Sequence, residues 1–229
     1  MRHHPLLSAL LLSLSLPALA GRPATTEDAG TISPGVCELE SYLGHGREDG
    51  TPSVGVQSLQ LGCGATEHTQ LALLGQRAHS AGSSVRSLTL AGKSRLIDGG
   101  DDGASIALAY GLGATDDGAG LRSDQSYVNG VVSWPMAPGF VLHGNLGWTR
   151  SRQAHASTTS WALAVEHAAS GQWDLMGELF DNDRTRRPWI QAGVRWNPLP
   201  NRLWLDASWG WQTGHPRARA MTLGLRFAF

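Results

Sequence analysis

The chain has 229 residues, a formal net charge of −1, only 16% charged residues and 29 glycines. Near-neutral charge excludes a nucleic-acid binder, which needs a basic footprint, and glycine at this level suits tight turns and crowded sheet interiors rather than helices. After the first twenty residues nothing approaches the roughly 18 consecutive apolar residues of a spanning helix, so a helical membrane protein is excluded as well.

Residues 1–20 read as a secretory signal peptide, with a basic start at Arg2, His3 and His4, an apolar stretch from Leu6 to Leu16, and Ala18-Leu19-Ala20 as the cleavage site. Residues 21–34 lack periodicity and hold Pro23, Glu27, Asp28 and Pro34, the composition expected of a periplasmic lead-in. From 35 to 229 the chain divides into twelve short segments: 35–43, 54–63, 69–79, 84–96, 104–113, 127–134, 140–149, 159–167, 173–180, 189–196, 202–211 and 218–229. A strand sends alternate side chains to opposite faces, and each segment is near the roughly 9–11 residues of a tilted membrane strand. The expected fold is all-β: a transmembrane antiparallel up-and-down barrel of about twelve strands. Connections alternate between short ones, such as 64–68 and 197–201, and longer polar ones, such as 44–53 and 114–126. That is the order of tight periplasmic turns and long outside loops. Val54 and Val56 have the opposite parity to Leu59 and Leu61, which predicts a bulge near Gln57.

Cys37 and Cys63 are symmetric about Gly50 in the turn-forming Asp49-Gly50 pair, so one hairpin sets them opposite each other. Export permits oxidation, and closing this loop is worth about 3 kcal/mol. The alternative, two unpaired thiols packed against lipid or core, stays open at this point.

The final run shows which solvent each face meets. Met221, Leu223, Leu225, Phe227 and Phe229 share one parity, while Ala220, Thr222, Gly224, Arg226 and Ala228 share the other. The small, charged face suits a wet lumen and the apolar face suits lipid. Alternation that ends on a terminal Phe resembles the closing strand of bacterial outer-membrane barrels, the stretch their assembly machinery reads. The resemblance implies that machinery as a partner. All nine Trp lie between Trp134 and Trp211. Trp134, Trp173, Trp196 and Trp204 are expected at the periplasmic rim, and Trp148, Trp161, Trp189, Trp209 and Trp211 at the outer one, because amphipathic rings prefer membrane–water boundaries. The Trp-free side, strands one to five, suggests a face toward another protomer.

Inward parity carries Glu38, Glu40, Glu178, Arg195, Asp206 and Arg226. Taken strand by strand around the closure their signs alternate, the favourable cross-strand case. A charge facing lipid would cost about 2–4 kcal/mol at the midplane, so they are read as lining the lumen, as a salt-bridge network or as a selective constriction. A hydrolase needs a Ser and a His side by side. His143-Gly144-Asn145 has no Ser in its strand, and no catalytic, metal or cofactor set is assigned. Arg184, Arg186 and Arg187 beside Asp181 and Asp183 are candidates for lipopolysaccharide phosphates.

Arg22-Pro23-Ala24-Thr25-Thr26-Glu27-Asp28-Ala29, then Gly35-Val36-Cys37-Glu38-Leu39-Glu40-Ser41 and Cys63, resemble the start of a family of small exported barrels of Gram-negative bacteria. That family is grouped with outer-membrane proteins of the phenol meta-degradation pathway. Glu178-Leu179-Phe180 through Arg195-Trp196-Asn197-Pro198 to Leu205-Asp206 resemble its closing strands. The combined expectation is an outer-membrane barrel, not an enzyme, forming a passive channel for small solutes, hydrophobic or aromatic ones among them. The alternatives are a closed barrel serving structure or adhesion and, less favoured, a hydrolase.

Overall fold

The computed structural model describes residues 24–229; the expected signal peptide, residues 1–20, lies outside them. The strands are β1 (Cys37–Glu48), β2 (Val54–Thr66), β3 (Thr69–Ser80), β4 (Ser83–Ile97), β5 (Ser105–Asp116), β6 (Arg122–Ala137), β7 (Phe140–Ser151), β8 (Ala156–Ala168), β9 (Trp173–Asn182), β10 (Trp189–Leu199), β11 (Leu203–Gln212) and β12 (Ala218–Ala228). Each pairs antiparallel with its neighbour and β12 closes on β1, giving a closed up-and-down barrel of twelve strands.

Alternation explains the ring. Leu59, Leu61, Leu71, Leu73, Leu90, Leu112, Leu146, Leu163 and Leu223 all point outward and are exposed. An apolar band that encircles the molecule far exceeds the few hundred Å² a soluble monomer tolerates, and it is the outer surface of a membrane barrel. The inward parity buries small or polar residues such as Ala72, Ala91, Ala109, Ser58, Gln60 and Gln191. Where one large ring enters, glycine receives it: a Cβ on Gly111 would lie 2.3 Å from the ring of inward-facing Tyr127.

Several expectations change. The strands run farther into the polar ends than apolar alternation marks, so the connection expected at 114–126 shrinks to residues 117–121. Residues 81–82 make a two-residue turn with positive φ at Ala81 (48°) and Gly82 (82°), the geometry that matches strand twist in tight hairpins. No bulge occurs near Gln57: the register runs unbroken from Cys37↔Cys63 to Gly46↔Val54. Val54 is buried on the lumen side, and the apparent change of parity was an apolar residue placed inside. Cys37 and Cys63 are joined, with Cα atoms 4.1 Å apart.

Candidate functional site

The lumen is occupied. Residues 24–34, expected as a periplasmic lead-in, run inside the ring, where Ala24, Thr26, Glu27 and Ala29 are buried. The wall holds this segment by its backbone. Thr25 N–H donates to both oxygens of Glu178 at 2.9 and 3.0 Å. Thr26 reaches the same carboxylate through its N–H at 2.9 Å and its hydroxyl at 2.8 Å. Asn145 matches a whole peptide unit, accepting from Glu27 N–H at 2.7 Å and donating to Glu27 C=O at 2.9 Å. Ser133 accepts from Ala29 N–H at 2.8 Å and Gln70 from Ile32 N–H at 2.8 Å. Lys93 Nζ donates to Asp28 C=O at 3.0 Å and lies 3.7 Å from the Asp28 carboxylate. The segment leaves the lumen beside β2, where Pro34 bridges Gly64. A Cβ on Gly64 would lie 2.2 Å from Ser33 O, so glycine is required at the exit.

Electrostatics distinguish the two acids of the segment. Glu27 is only 3% exposed, and its Oε2 has no hydrogen-bond partner among the described residues. Burial pushes its carboxyl up to about 7 against the opposing pull of Lys93. Removing the charge from a desolvated carboxyl is the cheaper solution in a dry pocket. Asp28 instead faces Lys93 directly. Below it a cavity of about 150 Å³ is bordered by Asp28, Ile32, Glu38, Gln60, Lys93 and Arg226. A second space, of about 20 Å³, lies at Glu27, Tyr127 and Asn145. With the segment in place these lumen spaces are small.

The six lumenal charges all sit on the inward parity; register sets Arg195 opposite Asp206 and Arg226 opposite Glu40, as neighbouring-strand order suggests, but separates Glu178 from Arg195 and Asp206 from Arg226. Arg195 stands opposite Asp174 and Asp206 in the ladders, and its guanidinium meets Glu166 at 3.0 Å and Asp174 at 3.2 Å. Glu178 stands two repeats of the pleat higher, opposite Gln191, which donates to it at 2.6 Å. Its carboxylate is therefore free to receive the segment. Arg226 lies opposite Glu40, 3.8 Å from Glu38, and over the Trp204 ring at 3.9 Å.

Most of the aromatics stand on the outward face near strand ends. Trp134, Trp148, Trp161, Trp173, Trp196, Trp209, Trp211 and Phe229 are exposed, with Trp173 stacked on Trp196. Trp189 differs. It pairs with buried Gln212 and with Phe180 on the lumen side, and the two rings stack at 6.1 Å. Trp204, expected at a rim, also turns inward, beneath Arg226. Among the candidate loop cations, Arg187 is bound to Glu48 at 3.0 Å and Arg184 to Ser157 C=O.

Sequence reading missed Lys93, Asn145, Ser133, Glu166 and Asp174. It also missed a serine next to His143, because that serine comes from the adjacent strand: Ser133 Oγ lies 2.8 Å from His143 Nδ1. Glu166 is 3.8 Å from Nε2 and engaged by Arg195. Among the described residues no carboxylate is hydrogen-bonded to this imidazole, as the orienting partner of a nucleophilic triad is, and Ser133 accepts from the segment.

These features define a class: a closed twelve-strand membrane barrel whose polar lumen holds the chain's own amino-terminal segment. The chain belongs to the family described as Uncharacterised conserved protein UCP029691, which matches residues 9–229. No curated protein matches it. Among solved structures it is similar to the KdgM porin in complex with disordered oligogalacturonate (TM-score 0.60, 9% identity, covering 83% of this chain and 99% of that one). It is also similar to the COG4313 outer membrane channel from Pseudomonas putida (0.59, 14%, 88% and 98%) and to the NanC porin (0.57, 8%, 82% and 98%). At these identities the likeness shows a shared barrel fold.

Proposed function

We propose that the protein is a passive outer-membrane channel for small solutes, exported by residues 1–20 and closed at rest by residues 24–34. The observation that carries this reading is how the occupant is held. Its buried residues are small or polar, and it is fixed by hydrogen bonds to Glu178, Asn145, Ser133, Gln70 and Lys93. Water can replace such bonds at modest net cost, whereas a true core cannot be withdrawn. A barrel of eight strands is filled by its own side chains and one of 16–18 leaves an aqueous channel. Here alanine, serine and glycine on the inward parity leave the room that the segment takes.

Porin and channel folds among the structural relatives support the class and the outer-membrane location. The solute is argued from the wall. On inward positions Glu38, Glu40, Glu48, Glu166, Asp174, Glu178 and Asp206 outnumber Lys93, Arg95, Arg195 and Arg226, so a polyanion of the oligogalacturonate kind is disfavoured. The inward Phe180–Trp189 stack at the mouth remote from the termini offers a flat apolar face to planar solutes. Together with the resemblance to barrels of phenol degradation, this favours small aromatic and neutral compounds.

Planar-bilayer recording on the refolded protein tests the reading. Expected are rare, brief openings of the native chain and a lasting rise in conductance when the segment is dislodged by Gly64→Val. The filled lumen also favours a second reading, a permanently closed structural barrel. Silence from both proteins, once folded, would establish that one.

A further inference from the structure

On the outward face, at the end remote from the termini, arginines of adjacent strands stand directly opposite each other. Arg47 of β1 faces Arg219 of β12, and Arg77 of β3 faces Arg86 of β4. All four side chains are exposed, as are His45 and His79. Like charges in direct cross-strand register are destabilising, and the nearest carboxylates relieve them only in part, Asp116 by its attraction to Arg86. Glu48 turns inward to Arg187 at 3.0 Å. Asp116, opposite Arg86, accepts the N–H groups of Gly118 and Gly120 in its own loop. Among the described residues none of the four arginines enters a salt bridge.

The floor between the two pairs is low. On β2 the outward residues at this height are Gln57 and Gly55, and the His79 ring lies across Gly55 so closely that a Cβ there would be 2.2 Å from it. Immediately toward the membrane centre come exposed Leu43, Leu59, Leu73 and Leu88. At the opposite end of the barrel the outward residues are uncharged aromatics, Trp134, Trp173, Trp196 and Phe229. Tryptophans stand at both rims, but among the described residues the paired outward cations stand at one only, which matches a bilayer whose two leaflets differ in charge.

We propose that this face of β12, β1, β3 and β4 is a binding site for a multiply phosphorylated glycolipid, the lipid A part of lipopolysaccharide, with acyl chains on the leucine band and phosphates on the arginine pairs. Guanidinium forks bind phosphate oxygens two at a time. Four strand steps from β12 to β4 span roughly 19 Å, which admits two phosphates on one headgroup. The site also gives the Trp-free side of the barrel a lipid partner in place of a second protomer, since two such faces would repel. It rests on the outer-membrane part of the proposed function and not on conductance, which is measured separately.

The test is titration of refolded, detergent-held protein with bisphosphorylated lipid A and with its dephosphorylated form, bound lipid being counted by native mass spectrometry. The native chain is expected to bind the bisphosphorylated lipid at least ten-fold more tightly. R77Q/R86Q and R47Q/R219Q are each expected to reduce that preference by about the same factor as removing the phosphates, while R202Q, exposed at the opposite end of the barrel, leaves it unchanged. Retained heat-modifiable migration on gels confirms that the variants are folded. Equal affinity of the native chain for the two lipids overturns the proposal without recourse to any variant. So does unchanged preference in both double variants, or a crosslinked dimer joined through this face.

Discussion

Replacing Glu178 by Ala should free the segment that fills the lumen. The carboxylate receives Thr25 N–H, Thr26 N–H and the Thr26 hydroxyl, all within 3.0 Å. Hydrogen bonds to a charged group are worth roughly 1.5–3 kcal/mol each. Water enters the vacated site and recovers part of this, so we take two bonds at the lower figure, about 3 kcal/mol. At about 1.4 kcal/mol per factor of ten, the docked-to-undocked ratio then falls about a hundred-fold. Glu178→Gln keeps an acceptor and should fall in between. The direct assay is protection of a cysteine placed at Thr26, in a chain with Cys37 and Cys63 still bridged, against a membrane-impermeant thiol reagent. Labelling should accelerate by about the same hundred-fold in Glu178→Ala, and open-channel time should rise with it. Unchanged labelling in a correctly folded barrel would refute the claim that this carboxylate anchors the segment.

Raising pH should loosen the same segment. The Glu27 carboxyl is raised above its ordinary value to about 7, so its contribution to docking is complete below about pH 4.5 and is lost as pH rises through 7. The shift corresponds to about 3 kcal/mol. Thiol labelling at position 26, normalised to the thiolate fraction at each pH, should therefore quicken between about pH 4.5 and 7 and level off above that, and Glu27→Gln should abolish this normalised dependence. Arg195→Ala leaves Glu166 and Asp174 without the cation they share at 3.0 and 3.2 Å. It should cost about 3–5 kcal/mol in urea unfolding from lipid and shift reversal potentials toward cation selectivity. Removing the Cys37–Cys63 bridge as C37S/C63S should cost about 3 kcal/mol with a raised urea m-value, because the unlinked unfolded chain is less compact.

Parity was legible because the solvent on each face imposes it residue by residue. The closing strand, the outward leucines and the inward sign of Arg195 or Arg226 all follow from counting alternate positions, and the disulfide partners from their symmetry about the Asp49-Gly50 turn. Height along the barrel was not legible. Glu178 and Arg195 lie on adjacent strands with opposite charges, yet the register sets Arg195 against Asp174 and Glu178 against Gln191. Ser133 and His143 belong to different strands, and only their exact pairing brings hydroxyl to imidazole. Trp189 was assigned by its position near a strand end. The lumen claims it because Phe180 opposite offers a stacking partner.

Residues 24–34 were the largest difference, and the reason is physical. A strand declares itself through its own side chains, but this segment is recognised through peptide N–H and C=O groups, which every sequence possesses. Its composition therefore matches that of a linker. The signal lies in the wall: an inward carboxylate at mid-height whose register partners are Gln191 and Ala164 meets no cation among the described residues. A buried charge without a partner is too costly to persist, so something else in the chain must supply donors. Of the described residues outside the strands, the amino-terminal stretch alone is long enough to thread the ring. Outside the ring, the arginine pairs at the rim stand in like-charge register, and the phosphates of the proposed lipid are their counter-charge.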